Sequence, residues 1–397
     1  MPGFELFGDE ERRQVNDVLD TGILFRYGFD QARKGHWKAR ELEKEISRLT
    51  GAAHCHLCAN GTAALSVALA ACGVGAGDEV IMPPFTFIAT VEAVLNAGAV
   101  PVFSDIDETL CLDPAALGQA VSARTKAVLP VHMCGAMARI DAVKKFCDQR
   151  NLILIEDACQ AFGATFGGRA LGTFGRMGCF SFDAVKTITC GEGGAVITDD
   201  PDLYALADAY ADHGHNHVGS DRGLEQHAIL GANYRISELN AAVGLAQIRK
   251  MERILQTQRD NKQALKKALS AISGLTFRDL PDPQGDSATF LSFFLPDEGT
   301  ARRVSAELAA AGVDGCFYWY DNHWHYLRRW GHLKDLKSAA RLALTLLDDI
   351  PDYNRIELPR SDAVMGRTLS MQIKLSWTTE EIARRVQKMS AVIRQAL

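Results

Sequence analysis

The sequence has no block of like charge, no apolar run long enough for a membrane helix and no cysteine framework. Its 43 Lys and Arg are interspersed with 49 Asp and Glu, giving a formal net charge of -6. That pattern argues against nucleic acid or an anionic membrane surface as the main partner. The most apolar window, FTFIATVEAVLNAGAVPVF, contains Glu92 and Asn96 and reads as a helix followed by a strand. A bilayer span needs roughly 20 predominantly apolar residues. The N-terminal MPGFELFGDEERRQV lacks the basic start and apolar centre of a secretion signal. The ten cysteines have no framework spacing in a chain of 397 residues, so most are expected to be reduced and buried. Internal repeats and low-complexity tracts are also missing. A cytoplasmic protein is expected.

What remains is an ordinary globular composition, 47% hydrophobic, in a chain long enough for two lobes. From residue 54 to 200, short apolar runs alternate with helical patterns. The strand candidates are HCHLC (54–58), EVIMP (79–83), AVPVFS (99–104), KAVLPVH (126–132), LILIED (152–157), GCFSF (178–182) and GAVIT (194–198). Strands apolar on both faces, alternating with helices, indicate an α/β fold with a mostly parallel sheet between helices. One long helical run is expected from Ile236 to about Ile272, followed by the Pro/Gly/Asp-rich GLTFRDLPDPQGD. The reading is a large domain over 1–250 and a smaller C-terminal α/β domain over 251–397.

Open α/β sheets bind ligands at the carboxyl ends of their strands. After the first strand, Asn60, Gly61 and Thr62 open a helix, where free N–H groups and a hydroxyl suit a phosphate. The bland alternative is a helix cap with a turn glycine. After the second strand, Phe85 and Phe87 are candidates to cover a planar ring, or core aromatics. After the fifth, Glu156 or Asp157 places a carboxylate at a buried strand end, which is costly without a cationic partner. Gln160 follows on the same turn. After the sixth come Ser181 and Lys186 in FSFDAVKTITCGEGG. A desolvated lysine amine is a nucleophile. Phosphate cradle, ring cover, buried acid and lysine in this order describe a pyridoxal phosphate site, in which the acid keeps the ring nitrogen protonated and the lysine carries the aldehyde.

These residues resemble the fold-type I pyridoxal phosphate enzymes, specifically the DegT-class sugar aminotransferases, over nearly the whole chain. The resemblance implies Lys186 as Schiff-base lysine and proton shuttle and Asp157 as the pyridinium partner. It implies Gln160 near the ring hydroxyl, Gly61, Thr62 and Ser181 at the phosphate, and Phe87 stacked on the ring. NYRISELNAAVGLAQ matches the segment whose asparagine, here Asn233, reaches the phosphate of the neighbouring subunit, so a homodimer with shared active sites is implied. One branch of the family carries histidine in place of the lysine and dehydrates its substrate. Lysine here favours transamination. Further stretches, LFRYGFD, VHMCGAMARID, DHGHNH, DGCFYWYDNHWHY and LSMQIKLSW, resemble the branch that aminates the C8 aldehyde of an oxidised Kdo sugar, with glutamate as donor. For the carboxylate of that sugar acid the candidates are Arg235, His215, His217, His323 and His325. A nucleotide-linked keto sugar as acceptor, and a pyridoxal-binding regulatory protein without turnover, are the rival readings.

Metal readings are set aside. HCHLC has Cys55 and Cys58 at zinc-like spacing but no second ligand pair at the usual distance. DHGHNHVG (212–219) reads better as a polar substrate loop. The aromatics Phe317, Tyr318, Trp319, Tyr320 and Trp324 are split between packing and a wall for a sugar ring. Cys190 reads as packing.

Overall fold

The computed structural model describes residues 3–218 and 223–397. Its main sheet is built from β1 (His54–Cys58), β2 (Glu79–Met82), β3 (Val100–Phe103), β4 (Thr125–Val128) and β5 (Ile153–Asp157). A small ribbon follows, β6 (Thr165–Phe166) with β7 (Arg169–Ala170), and then β8 (Met177–Ser181) and β9 (Gly194–Thr198) complete the sheet. The seven strands lie in the order β1-β9-β8-β5-β4-β2-β3. All run in one direction except β9, which is antiparallel to both β1 and β8. The expected strands therefore form at the expected places.

Alternation along each strand feeds two different cores, as the pleat requires. Val80 and Met82 pack with the helix Gly61–Ala71, whereas Ile81 between them packs with Val128, Leu154 and the helix Ile140–Arg150. In β9, Val196 faces the first core, while Ala195 and Ile197 face Leu42 and Ile46 of the helix Lys38–Thr50. Helices cover both faces, and the strand ends open on one edge.

The long helical run is interrupted. Two helices occupy it, Glu238–Ile248 and Met251–Leu269, with the break at Arg249 and Lys250. At the break, Lys250 Nζ donates to Glu11 Oε1 and the Leu6 carbonyl, both at 2.7 Å. Beyond this break Met251 and Ile254 still pack in the first lobe's core. A second sheet, β10 (Thr276–Phe277), β11 (Phe290–Phe294), β12 (Cys316–Phe317) and β13 (Thr368–Gln372), is antiparallel throughout in the order β10-β11-β13-β12. The helices Glu298–Ala310 and Thr379–Ala396 close its core. The latter starts on a reciprocal cap between Thr378 and Glu381, at 2.8 and 3.2 Å.

Part of the C-terminal half returns to the first lobe. Trp319, Tyr326, Trp330 and Tyr353 are buried in the same core as Val80 and Phe103. Backbone bonds tie this return to the loop after β2, from Leu327 N to the Pro84 carbonyl (3.0 Å), Thr86 N to His325 (3.0 Å) and Ile88 N to Trp324 (2.9 Å). The aromatic-rich stretch thus divides by position. Trp319 and Tyr326 are core, while Trp324 is 62% exposed. Among the described residues, no helix is long and apolar enough to cross a membrane.

Candidate active site

A cavity of about 380 Å³ opens at the carboxyl edge of the main sheet. Gly61, Thr62, Phe87, Asp157, Gln160, Ser181 and Lys186 all line it, together with Thr86, Thr90, Cys159, Asp183 and Glu192.

The phosphate end is formed where the helix Gly61–Ala71 begins. Asn60 caps it by accepting from Ala63 N at 2.8 Å, and its carbonyl takes Ala64 N at 3.0 Å. The N–H groups of Gly61 and Thr62 are left for an anion, in line with the helix dipole. A Cβ on Gly61 would lie 2.7 Å from Ser181 Cβ and 3.0 Å from its Oγ. Only glycine leaves room for an anion beside that hydroxyl. Substituting Gly61 with Ala is expected to weaken cofactor affinity at least tenfold, the order of one lost charge-assisted bond. It should also cost about 1–3 kcal/mol through overpacking. Equilibrium titration of cofactor and thermal melting check both. Unchanged affinity would mean the phosphate sits elsewhere.

Strand alternation separates the neighbouring acids of β5. Glu156 points into the fold, where His132 Nε2 (3.0 Å), Gly172 N (2.8 Å) and Gly175 N (2.7 Å) satisfy it. Asp157 faces the cavity at 3% exposure. Its Oδ2 accepts from Thr90 Oγ1 at 2.7 Å and its Oδ1 from Cys159 N at 3.1 Å. Thr90 is itself bonded to Thr86 Oγ1 at 2.7 Å. Among the described residues, no cation lies within ion-pair distance of Asp157. A buried carboxylate so placed calls for a cationic ligand atom. Gln160 Oε1 accepts from Cys134 N at 3.0 Å, which turns its NH₂ towards the cavity as a donor.

Lys186 sits on the loop between β8 and β9. The loop is pinned by Phe182 N to Gly193, Cys190 N to Phe182 (both 2.8 Å) and Gly3 N to the Lys186 carbonyl (2.7 Å). Its side chain is 12% exposed, with Nζ 3.7 Å from Asp183 Oδ2 and 6.0 Å from the Phe87 ring centre. It is a cavity amine, not a surface cation. Cysteine does not compete with it. Burial, with Asp157 alongside, pushes the Cys159 thiol up, and burial puts that of Cys190 at about 12.

His325 stands at the ring wall, its ring 5.4 Å from Phe87 and 4.7 Å from Trp319. Burial first, and then the nearby Lys186 charge, depress it to about 4, so it is neutral at physiological pH. Nδ1 lies 2.9 Å from Asn322 Oδ1 and donates to it, which leaves Nε2 an acceptor. Trp324 stacks on Phe87 at 5.5 Å and 13°. None of the sequence candidates for the sugar carboxylate lines the cavity of its own chain, His325 lying behind Phe87. Arg235 is ion-paired with Asp212 and lies over Phe25. His215 is 3.0 Å from Glu225, and His217 stacks on Tyr27 at 4.2 Å. His323 and Asn233 are exposed, and Gly219 lies outside the described residues. Thr90 was not singled out from the sequence, where its one signal is a hydroxyl in the first turn of the helix after Phe87.

The donor set fits pyridoxal phosphate: an anion cradle that a Cβ would fill, a ring wall, a buried carboxylate without a cation, and an amine. Comparison with known proteins agrees. L-glutamine:2-deoxy-scyllo-inosose aminotransferase of Streptomyces kanamyceticus is 42% identical over 58% of this chain and 55% of its own length. The enzyme of the same name from Streptomyces paromomycinus is 38% identical over 90% of this chain and 86% of its own length. The crystal structure of 3-amino-5-hydroxybenzoic acid (AHBA) synthase superposes with a TM-score of 0.83 at 29% identity, covering 99% of this chain and 98% of that one. Residues 7–390 match the DegT/DnrJ/EryC1/StrS aminotransferase family, whose members depend on pyridoxal phosphate, and the chain belongs to that family.

Proposed function

We propose that this protein transfers the amino group of glutamate to the C8 aldehyde of an oxidised Kdo sugar, forming 8-amino-3,8-dideoxy-manno-octulosonate for lipopolysaccharide. The gathering of Lys186, Asp157, Gln160 and the Gly61 cradle in one cavity carries the transamination. Pyridoxal phosphate, when bound, supplies the aldehyde and the electron-accepting ring. The chain supplies the rest. Gly61, Thr62 and Ser181 bind the phosphate, Asp157 holds the proton on the ring nitrogen, Gln160 donates to the ring oxygen and Phe87 covers one ring face. Lys186 Nζ would take the proton from the donor Cα in the first half-reaction and, once the deaminated donor has left, give a proton to the acceptor carbon in the second.

The acceptor assignment rests on the stretches that resemble the octulosonate branch. A neutral acceptor nitrogen on His325 and the exposed face of Trp324 support a polyhydroxylated acceptor. A second reading, a cyclitol ketone aminated with glutamine, is favoured by what the inosose aminotransferases are named for. We also propose a cytoplasmic homodimer with shared active sites, in which Asn233 serves the neighbouring subunit's phosphate. Its exposure, outside its own chain's cavity, supports that role.

An acceptor panel tests the assignment. The free octulosonate aldehyde, 2-deoxy-scyllo-inosose and a nucleotide-linked keto sugar are each offered with glutamate and with glutamine. The expected result is a kcat/KM at least about tenfold higher for the octulosonate with glutamate, or about 1.4 kcal/mol of discrimination. Preference for inosose with glutamine installs the second reading. Cofactor binding without turnover on any pair installs the regulatory one.

A further inference from the structure

The orientation of Gln160 is set from outside its own turn. Cys134, whose N–H fixes the Gln160 oxygen, is the middle residue of the 3₁₀ turn Met133–Gly135 and has φ 55°. A side-chain-bearing residue adopts that left-handed conformation only at a cost, so surrounding contacts must impose it. Those contacts come from the second lobe. Arg278, directly after β10, donates from Nη1 to the Met133 carbonyl at 2.7 Å, from Nε to that of Thr109 at 2.6 Å and from Nη2 to Cys111 Sγ at 3.3 Å. The Gly135 carbonyl accepts from both Ser287 N (3.1 Å) and Ser287 Oγ (2.8 Å). At Gly135 (φ 78°) a Cβ would meet Thr289 Oγ1 at 2.1 Å, so the two lobes are in direct contact here. Arg278 is 7% exposed and has no carboxylate within ion-pair distance among the described residues. Burying a guanidinium without a counter-ion is a poor route to stability. Its three donors instead tie the Met133 turn, just after the cavity-lining Val131, to the loop holding Thr109 and Cys111.

We propose that Arg278 is a positioning residue: by holding the Met133 carbonyl it keeps the turn in the conformation that aims the Cys134 N–H at Gln160, and so points the Gln160 amide donor at the cofactor ring. The inference rests on the cofactor and not on the choice of acceptor, so its test uses no substrate. Cofactor affinity, and the midpoint of the pH-dependent change in the bound cofactor's visible absorption, are measured for R278Q, R278K, Q160L and R278Q/Q160L. The expected result is about a tenfold affinity loss in Q160L and at least a threefold loss in R278Q, the order of one hydrogen bond. The R278Q midpoint should move in the same direction as that of Q160L, and the double variant should be no worse than Q160L alone. R278K, which keeps the charge and one donor, should fall between R278Q and the parent. Should R278Q fail to fold, R278K carries the same comparison. A purely structural arginine predicts lowered melting temperatures with affinity and midpoint unmoved, or losses that add to those of Q160L, and either result overturns the proposal.

Discussion

Replacing Lys186 with alanine is expected to lower turnover by about 10⁴-fold or more, or ~5.5 kcal/mol, because in the proposed mechanism one residue supplies both nucleophile and proton shuttle. The fold should survive. The Lys186 backbone bonds, N to the Asp183 carbonyl (3.2 Å) and O from Gly3 N (2.7 Å), do not involve its side chain. Its Nζ makes one long ion pair, 3.7 Å to Asp183. A loss of that kind is worth about 0.5 kcal/mol or less. Steady-state rates and melting curves on the same samples separate the two effects. K186R, which keeps a cation but not an available amine, should be as slow as K186A. Activity within tenfold of the parent in either variant would remove Lys186 from the chemistry.

The place of that lysine in the cavity was legible in the sequence because several weak signals fell in one order along the chain. Each depends on a local rule. A parallel strand ends, the chain turns, and whatever follows the strand lies at the sheet's carboxyl edge. Asn60, Phe87, Asp157 and Ser181 are placed at that edge by topology alone, so strand boundaries read from apolar runs were enough to gather them. Glu156 and Asp157 were not separable by composition. The pleat separates them, and its phase is set by pairing with β4 and β8. The direction of β9 was also hidden, since an apolar strand reads the same both ways.

What stayed illegible depends on contacts between residues far apart in sequence. Thr90 reaches Asp157 across 67 positions. Arg278 reaches Met133 across 145. No periodicity records such pairs. The bonds at the break between Ile248 and Met251 belong to the same class, since Lys250 there reaches Leu6 and Glu11. His215, His217 and Arg235 were attractive as cations beside a sugar acid. In the fold they are held by Asp212, Asp208 and Glu225, carboxylates that sequence proximity does not reveal as partners.

Asp157→Asn should separate cofactor chemistry from fold stability most cleanly. The substitution is isosteric and keeps an acceptor oxygen for Thr90 Oγ1 or Cys159 N. What it removes is the negative charge at 3% exposure. Its neighbour on β5 cannot stand in for that charge, since Glu156 is turned away and committed to His132 and the Gly172 and Gly175 amides. Turnover is expected to fall about 10²–10³-fold, or roughly 3–4 kcal/mol. The phosphate cradle is untouched, so the variant should still bind cofactor. Stability should move the other way in the apo protein. A buried carboxylate without a cation is desolvated at a cost, and replacing it with a neutral amide relieves about 1–3 kcal/mol. Apo D157N should therefore melt at or above the apo parent, while its gain in melting temperature on adding cofactor should shrink. Melting both proteins with and without pyridoxal phosphate reads the two effects together. If D157N destabilised the apo protein and left the cofactor-induced gain intact, Asp157 would be a structural cap on its helical turn, and the ring nitrogen would have to find its partner elsewhere.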